Sequence, residues 1–193
     1  MTSVLAAFAC GAVGWTLAEY LLHRFLGHVF VRTRNPFTVE HLRHHATTSY
    51  FAPAWKKALA AIATLAAVTP LASLVAGTPR GLAFGTGVVV MYVAYEVVHR
   101  RAHTHPPRGP YSRWVRRNHF THHFLSPRTN HGVTSPVWDH VFGTHQPLGV
   151  VRVPARHAMP WLLDPATGDV RAELAAEYRL QRGADDRRQD GGR

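Results

Sequence analysis

Ten of the fifteen histidines in this 193-residue chain fall in four short clusters. They are His23 and His28 in HRFLGH, His41, His44 and His45 in HLRHH, His99 and His103 in HRRAH, and His119, His122 and His123 in HFTHH. Neutral imidazole is a ligand for zinc, copper, nickel and iron alike, so such clustering points first to a metal centre. On a helix, residues i, i+3 and i+4 share a face, so each HxxHH directs three rings at one point and HxxxH directs two. His23 and His28 lie about 140° apart on an ideal helix. They are expected to converge only through a break between them, for which Gly27 offers the place. Ten imidazoles are too many for one ion, since tetrahedral zinc takes four ligands and octahedral ions six. Two ions are expected, and two six-coordinate ions would leave about two of about twelve positions for water, oxygen or a bridging ligand. A centre of that kind is open, as catalytic centres are.

The elements that position these clusters are apolar. Residues 3–22 carry one charge, Glu19; residues 58–76 carry none; residues 81–98 carry only Glu96. At 1.5 Å per residue each is about long enough to cross a hydrocarbon core of roughly 30 Å. Three transmembrane helices follow, the middle one carrying Pro70 as a candidate kink. The mean hydropathy of −0.12 conceals them because it averages them with a basic, polar remainder. The first run does not read as a signal peptide, since no Lys or Arg precedes it. The lone Cys10 lies in that run and excludes an internal disulfide framework; it reads as a small buried hydrophobe.

Topology also accounts for the net charge of +11. Six Lys/Arg lie in the first connecting segment (Arg24, Arg32, Arg34, Arg43, Lys56 and Lys57) and fifteen lie after the third span, whereas the turn between the second and third spans has only Arg80. By the positive-inside rule the large polar portion is cytoplasmic. The basic excess then serves orientation and anionic headgroups, and no nucleic-acid partner is expected. All four histidine clusters fall on that side. A centre capped against apolar helices would receive its substrate from the bilayer, and a lipid offers C–H bonds rather than labile esters. Oxygen activation by iron fits such a substrate better than hydrolysis does.

In order, the HxxxxH, HxxHH, HxxxH and HxxHH boxes resemble those of the fatty acid hydroxylase/sterol desaturase superfamily of membrane di-iron oxygenases. EYLLHRFLGH at 19–28 is similar to the first box of that family, and NHGVTSPVWDHVFGT at 130–144 to the block that follows its last box. These two stretches look most like the fatty acid 2-hydroxylase branch. The resemblance runs from about residue 13 to residue 144. It implies an O2-dependent monooxygenase with two iron ions, for which zinc can substitute in a purified protein, held by all ten clustered histidines. The substrate would be a membrane lipid, hydroxylated on its acyl chain at C2. Family members often carry a fused cytochrome b5 domain and four spans; here three spans are read and no such domain, so an external ferredoxin or cytochrome b5-like donor is implied. Within the superfamily, a carotenoid (beta-ring) hydroxylase, a sterol-type oxidase or desaturase, and an aldehyde-converting enzyme are the alternatives. Outside it stand a membrane zinc hydrolase and a metal transporter or metal-binding protein; transporters place ligands near the bilayer midplane, and the spans here hold no histidine.

Among the neighbours, Glu19 lies four residues before His23 and Glu96 three before His99, so either carboxylate could accept the other ring N–H of a ligand. Asn130 and His131 lie close to the last box and could likewise support a ligand, and Asp139, with Trp138, belongs to the block after it; Asp139 is expected to brace the loop over the centre. His131 stands where family members have an aromatic residue and is left outside the ligand set. His105, His140, His145 and His157 fit no box and are expected on the surface or in loops. Thr38 and Ser112 are candidate N-caps for the helices bearing the two triplets, with Pro127 limiting the second. Trp15, Trp55 and Trp114 fit interfacial anchors and packing residues equally. The fold class expected is all-α: about three integral membrane helices with a cytoplasmic helical cap around a dinuclear, histidine-rich metal site. Residues 1–165 are expected to form the membrane-embedded catalytic domain, and residues 166–193 a short surface helix near residues 166–182 with a disordered C-terminal tail. Oligomeric state is not legible.

Overall fold

The structure, a computed structural model, describes residues 2–183. Helix α1 (Thr2–Leu21) runs directly into a π-helical segment (Leu22–Val29). Then follow α2 (Pro36–Ala46), α3 (Ala54–Ala76), α4 (Thr78–Thr104), α5 (Pro110–Phe124) and the single-turn α6 (Val137–Val141). Two four-residue strands, β1 (Val151–Pro154) and β2 (Tyr178–Gln181), pair in parallel with Val151 opposite Tyr178. The all-α expectation holds for the architecture and omits only this small pair.

Three helical stretches, Ser3–Val29, Ala54–Ala76 and Thr78–Thr104, are long and apolar enough to cross a membrane. Helices α3 and α4 form a hairpin around Gly77, whose φ of +85° suits a residue without Cβ. Helices α1 and α4 pack at backbone contact: a Cβ on Gly11 would meet the Phe84 carbonyl oxygen at 2.1 Å, and one on Gly87 the Phe8 carbonyl at the same distance. Helix α3 buries no side chain, and Leu74 and Val75 are 84% and 89% exposed. A helix that is apolar all round suits lipid on its free faces. Cys10, expected to be buried, is exposed on α1, where membrane solvent makes burial by protein unnecessary. Of the three tryptophans, Trp15 is buried against Tyr92 and Tyr95, whereas Trp55 at the start of α3 is exposed.

The polar side is built on α2 and α5. The caps are not Thr38 and Ser112: Asn35 caps α2, its side chain accepting from the Thr38 N–H at 3.0 Å, and Gly109 precedes α5. Both helices place Pro at their first position, where a missing N–H costs nothing, and this shifts each start upstream of the expected one. Phe120 of α5 joins Val151, Val153, Met159, Trp161, Leu162, Leu174 and Tyr178 in the main apolar core.

The surface helix expected near residues 166–182 is not there. Residues Ala172–Leu174 make a 3-10 turn and Tyr178–Gln181 a strand. A turn at Gly168 (φ +71°) and pairing with β1 satisfy the backbone while Leu174 and Tyr178 are buried, so their four-residue spacing serves a turn and a strand. The rest of the tail expected to be disordered, residues 184–193, lies outside the described residues.

Candidate metal centre

The ten clustered histidines meet as two groups of five. His23, His28, His41, His45 and His122 form one; His44, His99, His103, His119 and His123 form the other. Within each group one ligand atom per residue lies within 4.8 Å of all the others. Neither triplet aims three rings at one point. On a 3.6-residue turn, i and i+4 stand about 40° apart and i+3 about 60° to the other side of i. Each triplet therefore fans out: His41 and His45 join the first group and His44 the second, while His119 and His123 join the second and His122 the first.

The first box converges without a break. In the π segment the hydrogen bonds run from i to i+5, as from Phe30 N–H to the Phe25 carbonyl at 2.7 Å, and this wider turn brings His23 and His28 to one face with ring centroids 5.3 Å apart. Gly27 serves close approach instead: a Cβ there would lie 2.9 Å from His41 Cδ2 and 3.0 Å from its Nε2. Thr38, not a cap, donates its hydroxyl to the Leu26 carbonyl at 2.6 Å and ties α2 to the π segment.

Backbone carbonyls orient several rings. His23 Nδ1–H donates to the His131 carbonyl (2.5 Å), His44 Nδ1–H to the Tyr50 carbonyl (2.8 Å) and His122 Nδ1–H to the Thr129 carbonyl (2.8 Å). Each bond leaves the Nε2 lone pair facing inward. Neither Glu19 nor Glu96 takes the role foreseen for it: Glu19 accepts from the Val133 and Thr134 backbone and the Thr134 hydroxyl, and Glu96 pairs with Lys57. The carbonyl partners carry no sequence signal, because every residue has one.

The loop supplying two of those carbonyls is braced by the other two foreseen residues. Asp139 accepts the His131 and Gly132 N–H groups, both at 2.8 Å, and the Thr144 hydroxyl. Asn130, at a φ of +55°, exchanges side-chain bonds with the Gln146 backbone. His131 itself is buried at the edge of the first group, its ring 5.3 Å from that of His122 and 5.5 Å from that of His23, outside the five converging ligands. Of the histidines outside the boxes, His105 and His140 are exposed and His145 and His157 half-buried.

The donor set fits metal ions. His28 Nε2 lies 2.9 Å from both His41 Nε2 and His122 Nε2, and its single proton can serve only one of them. In the second group Nε2 atoms approach at 3.0 Å (His44 and His99) and 2.8 Å (His103 and His119). Adjacent nitrogens bound at about 2.1 Å to one octahedral ion stand about 3 Å apart. The Nε2 atoms of His23, His45 and His123 are buried with no hydrogen-bond partner, which a cation would remedy. Burial first, then neighbouring imidazoles, holds His41, His119, His122 and His123 well below the ordinary histidine range. Burial likewise brings His44 down to about 4 and His45 to about 3. All six stay neutral at pH 7, as metal ligation requires.

A cavity of about 400 Å³ opens against both groups, touching His41 of the first and His44 and His99 of the second. Trp15, Leu22, Phe51 and Ala60 supply apolar wall, and the ion pairs Lys56–Glu40 and Lys57–Glu96 also line it.

The sequence model of the fatty acid hydroxylase family matches residues 8–144. The chain is 32% identical over 139 residues to the dihydroceramide fatty acyl 2-hydroxylase FAH2 of Arabidopsis thaliana, covering 70% of this chain and 59% of that one. It is 33% identical over 155 residues to the ceramide very long chain fatty acid hydroxylase scs7 of Schizosaccharomyces pombe, covering 73% and 42%. With the fatty acid 2-hydroxylase of Homo sapiens the identity is 28% over 151 residues, covering 72% and 39%. Among solved structures, full-length scs7p, in which only the hydroxylase domain is visible, superposes with a TM-score of 0.58 at 28% identity, covering 75% of this chain and 56% of that one. The chain thus spans from 39% to 59% of the length of these relatives.

Proposed function

The chain belongs to the fatty acid hydroxylase family, and from that premise we propose that it is an O2-dependent di-iron monooxygenase that hydroxylates a membrane lipid on its acyl chain at C2. The observation that carries this reading is the contact of one apolar cavity with ligands of both five-histidine groups. The carotenoid, sterol and non-oxidative alternatives give way because the relatives above are named as hydroxylases of fatty acids or ceramides.

Two iron ions held by His23, His28, His41, His45 and His122 and by His44, His99, His103, His119 and His123 would supply reductive activation of O2. The reaction consumes the lipid, O2, two electrons and two protons and gives the hydroxylated lipid and water. The remaining work belongs to the chain. Trp15, Leu22, Phe51 and Ala60 bind the acyl segment and keep bulk water from the reacting carbon. Lys56 and Lys57, the Lys/Arg side chains that line the cavity among the described residues, are each paired with a carboxylate and so favour an uncharged head group such as an amide. The carbonyls of Tyr50, Thr129 and His131 hold the ligand rings in one tautomer, so oxygen chemistry meets a fixed frame.

The site side is read as cytoplasmic, because the basic residues gather there. Exposed Arg100, Arg101, Arg108, Arg128, Arg152, Arg156 and Arg179 suit an acidic one-electron donor of ferredoxin or cytochrome b5 type. The test is expression in a host lacking 2-hydroxylated lipids, with mass spectrometry of total lipids. Acyl species one oxygen atom heavier, bearing the hydroxyl at C2, support the reading; an unchanged lipid profile in the presence of a competent donor overturns it.

A further inference from the structure

Residues 131–134 form an irregular stretch whose four consecutive backbone N–H groups all go to two buried carboxylates. His131 and Gly132 donate to Asp139 (2.8 Å each), and Val133 and Thr134 donate to Glu19 Oε1 at 2.5 and 3.0 Å. Glu19 is 4% exposed and belongs to the apolar length of α1. Beyond this stretch the chain runs along α1 toward its N-terminus as far as Trp138, whose Nε1–H donates to Thr16 Oγ1 at 2.9 Å, and then returns toward the site, where Phe142 stacks on Tyr20 with centroids 5.2 Å apart.

The depth of that contact follows from the neighbouring spans. Trp15 packs on Tyr92 and Tyr95, 4.8 and 5.9 Å between centroids, so Thr16 lies beside the turn of α4 that precedes Glu96. Glu96 pairs with Lys57 near the start of α3. From Lys57 to the end of α3 is about 30 Å at 1.5 Å per residue, the thickness of a hydrocarbon core, so Lys57 marks its edge. Helix α6 therefore reaches about one turn, roughly 5 Å, to the membrane side of that edge. It turns Val137 (53% exposed) and Val141 (62%) outward there, and Phe142 (46%), just past its end, lies nearer the site beside Tyr20.

The geometry points to residues 132–143 as a shallow membrane wedge whose partner is the acyl region of the site-side leaflet. Irregular backbone is tolerated at membrane depth only where its N–H groups are satisfied by protein, and the carboxylates of Glu19 and Asp139 do this for residues 131–134. The insertion depth matches that of interfacial helices, which bury their apolar face roughly 5–10 Å. Exposed Tyr111, whose hydroxyl donates to the Thr134 carbonyl at 3.1 Å, lies at the rim as interfacial aromatics do. His131, the residue just before the wedge, orients His23 through its carbonyl, so lipid contact and the metal centre share one loop.

The inference rests on the spans and not on the reaction, and its test does not read activity. In a Cys10→Ser background, single-cysteine variants Val137→Cys and Val141→Cys of the full chain are spin-labelled and reconstituted in phosphatidylcholine/phosphatidylglycerol vesicles. Leu74→Cys on α3 serves as the lipid reference and Arg152→Cys on β1 as the aqueous reference. Collision with O2 relative to a water-soluble nickel chelate should be several-fold higher at both wedge positions than at Arg152→Cys and close to Leu74→Cys. A ratio equal to that of Arg152→Cys overturns the proposal. So does protection from both quenchers with cross-linking between chains, which would make this face a contact between copies. Both substituted side chains are exposed, so neither change disturbs packing.

Discussion

The imidazoles of His45 and His123 stack face to face, 4.1 Å between centroids and 13° between planes, although they belong to different metal groups. They are the wall common to the two groups. One ring comes from α2 and one from α5, and each of those helices also sends a histidine across to the other group, His44 and His122. The centre is therefore woven from two helices, with the π segment and α4 each adding two ligands to one side.

On the proposed reading of two ions, replacing His122 with Ala should remove one of them while leaving the chain inserted, because the second group keeps all five of its histidines. Metal analysis of purified protein, alongside lipid mass spectrometry, reads this: about half the metal and no hydroxylated product. Full metal content would show that His122 is not a ligand.

Gly27→Ala should weaken the first group selectively. The added Cβ, 2.9 Å from His41 Cδ2, leaves no room for that ring in its present position. A misplaced ligand costs on the order of tenfold to a hundredfold in metal affinity. Competition with a chelator measures it, and Gly14→Ala, where a Cβ meets only the Phe84 ring edge at 3.7 Å, is the control expected to behave as wild type.

Glu19→Ala should destabilise the chain more than Glu19→Gln. Alanine strands two backbone N–H groups and the Thr134 hydroxyl, at about 1–3 kcal/mol for each buried group left unsatisfied. Glutamine keeps an acceptor for both N–H groups. Thermal unfolding in detergent should rank wild type above Gln and Gln above Ala; equal midpoints for the two variants would show that the carboxylate does not hold this loop.

Ala60→Trp should fill the cavity beside α3 without touching a ligand. Metal content should be unchanged while the apparent affinity for the lipid falls about tenfold, corresponding to about 1.4 kcal/mol. Unaltered KM and turnover would place the acyl chain elsewhere.

Much of this was legible in the sequence because it depends on residue type. Span lengths, the clustering of histidines and the count of two groups follow from hydrophobic runs and ligand chemistry, and the structure brings all ten histidines together. The partition of the triplets was not legible, since i+3 and i+4 look equivalent until a second helix fixes which side each faces. The π turn was missed because its signature, His23 and His28 five residues apart, reads equally as a broken helix. Glu19 was read through its nearest histidine in sequence, whereas its partners lie more than a hundred positions away, at Val133 and Thr134. The β1–β2 pair was hidden by an apolar spacing that suits a helix as well.

The crossing of His44 and His122 also sets an order of events during synthesis. The first group is complete only when residue 122 has emerged from the ribosome, and the second only at residue 123. By then all three hydrophobic stretches have already left the tunnel in sequence order. Neither five-histidine group can assemble on a nascent chain before the last span is made, and the two are completed one residue apart. Completion of both five-histidine groups thus comes only after all three hydrophobic stretches have been synthesised.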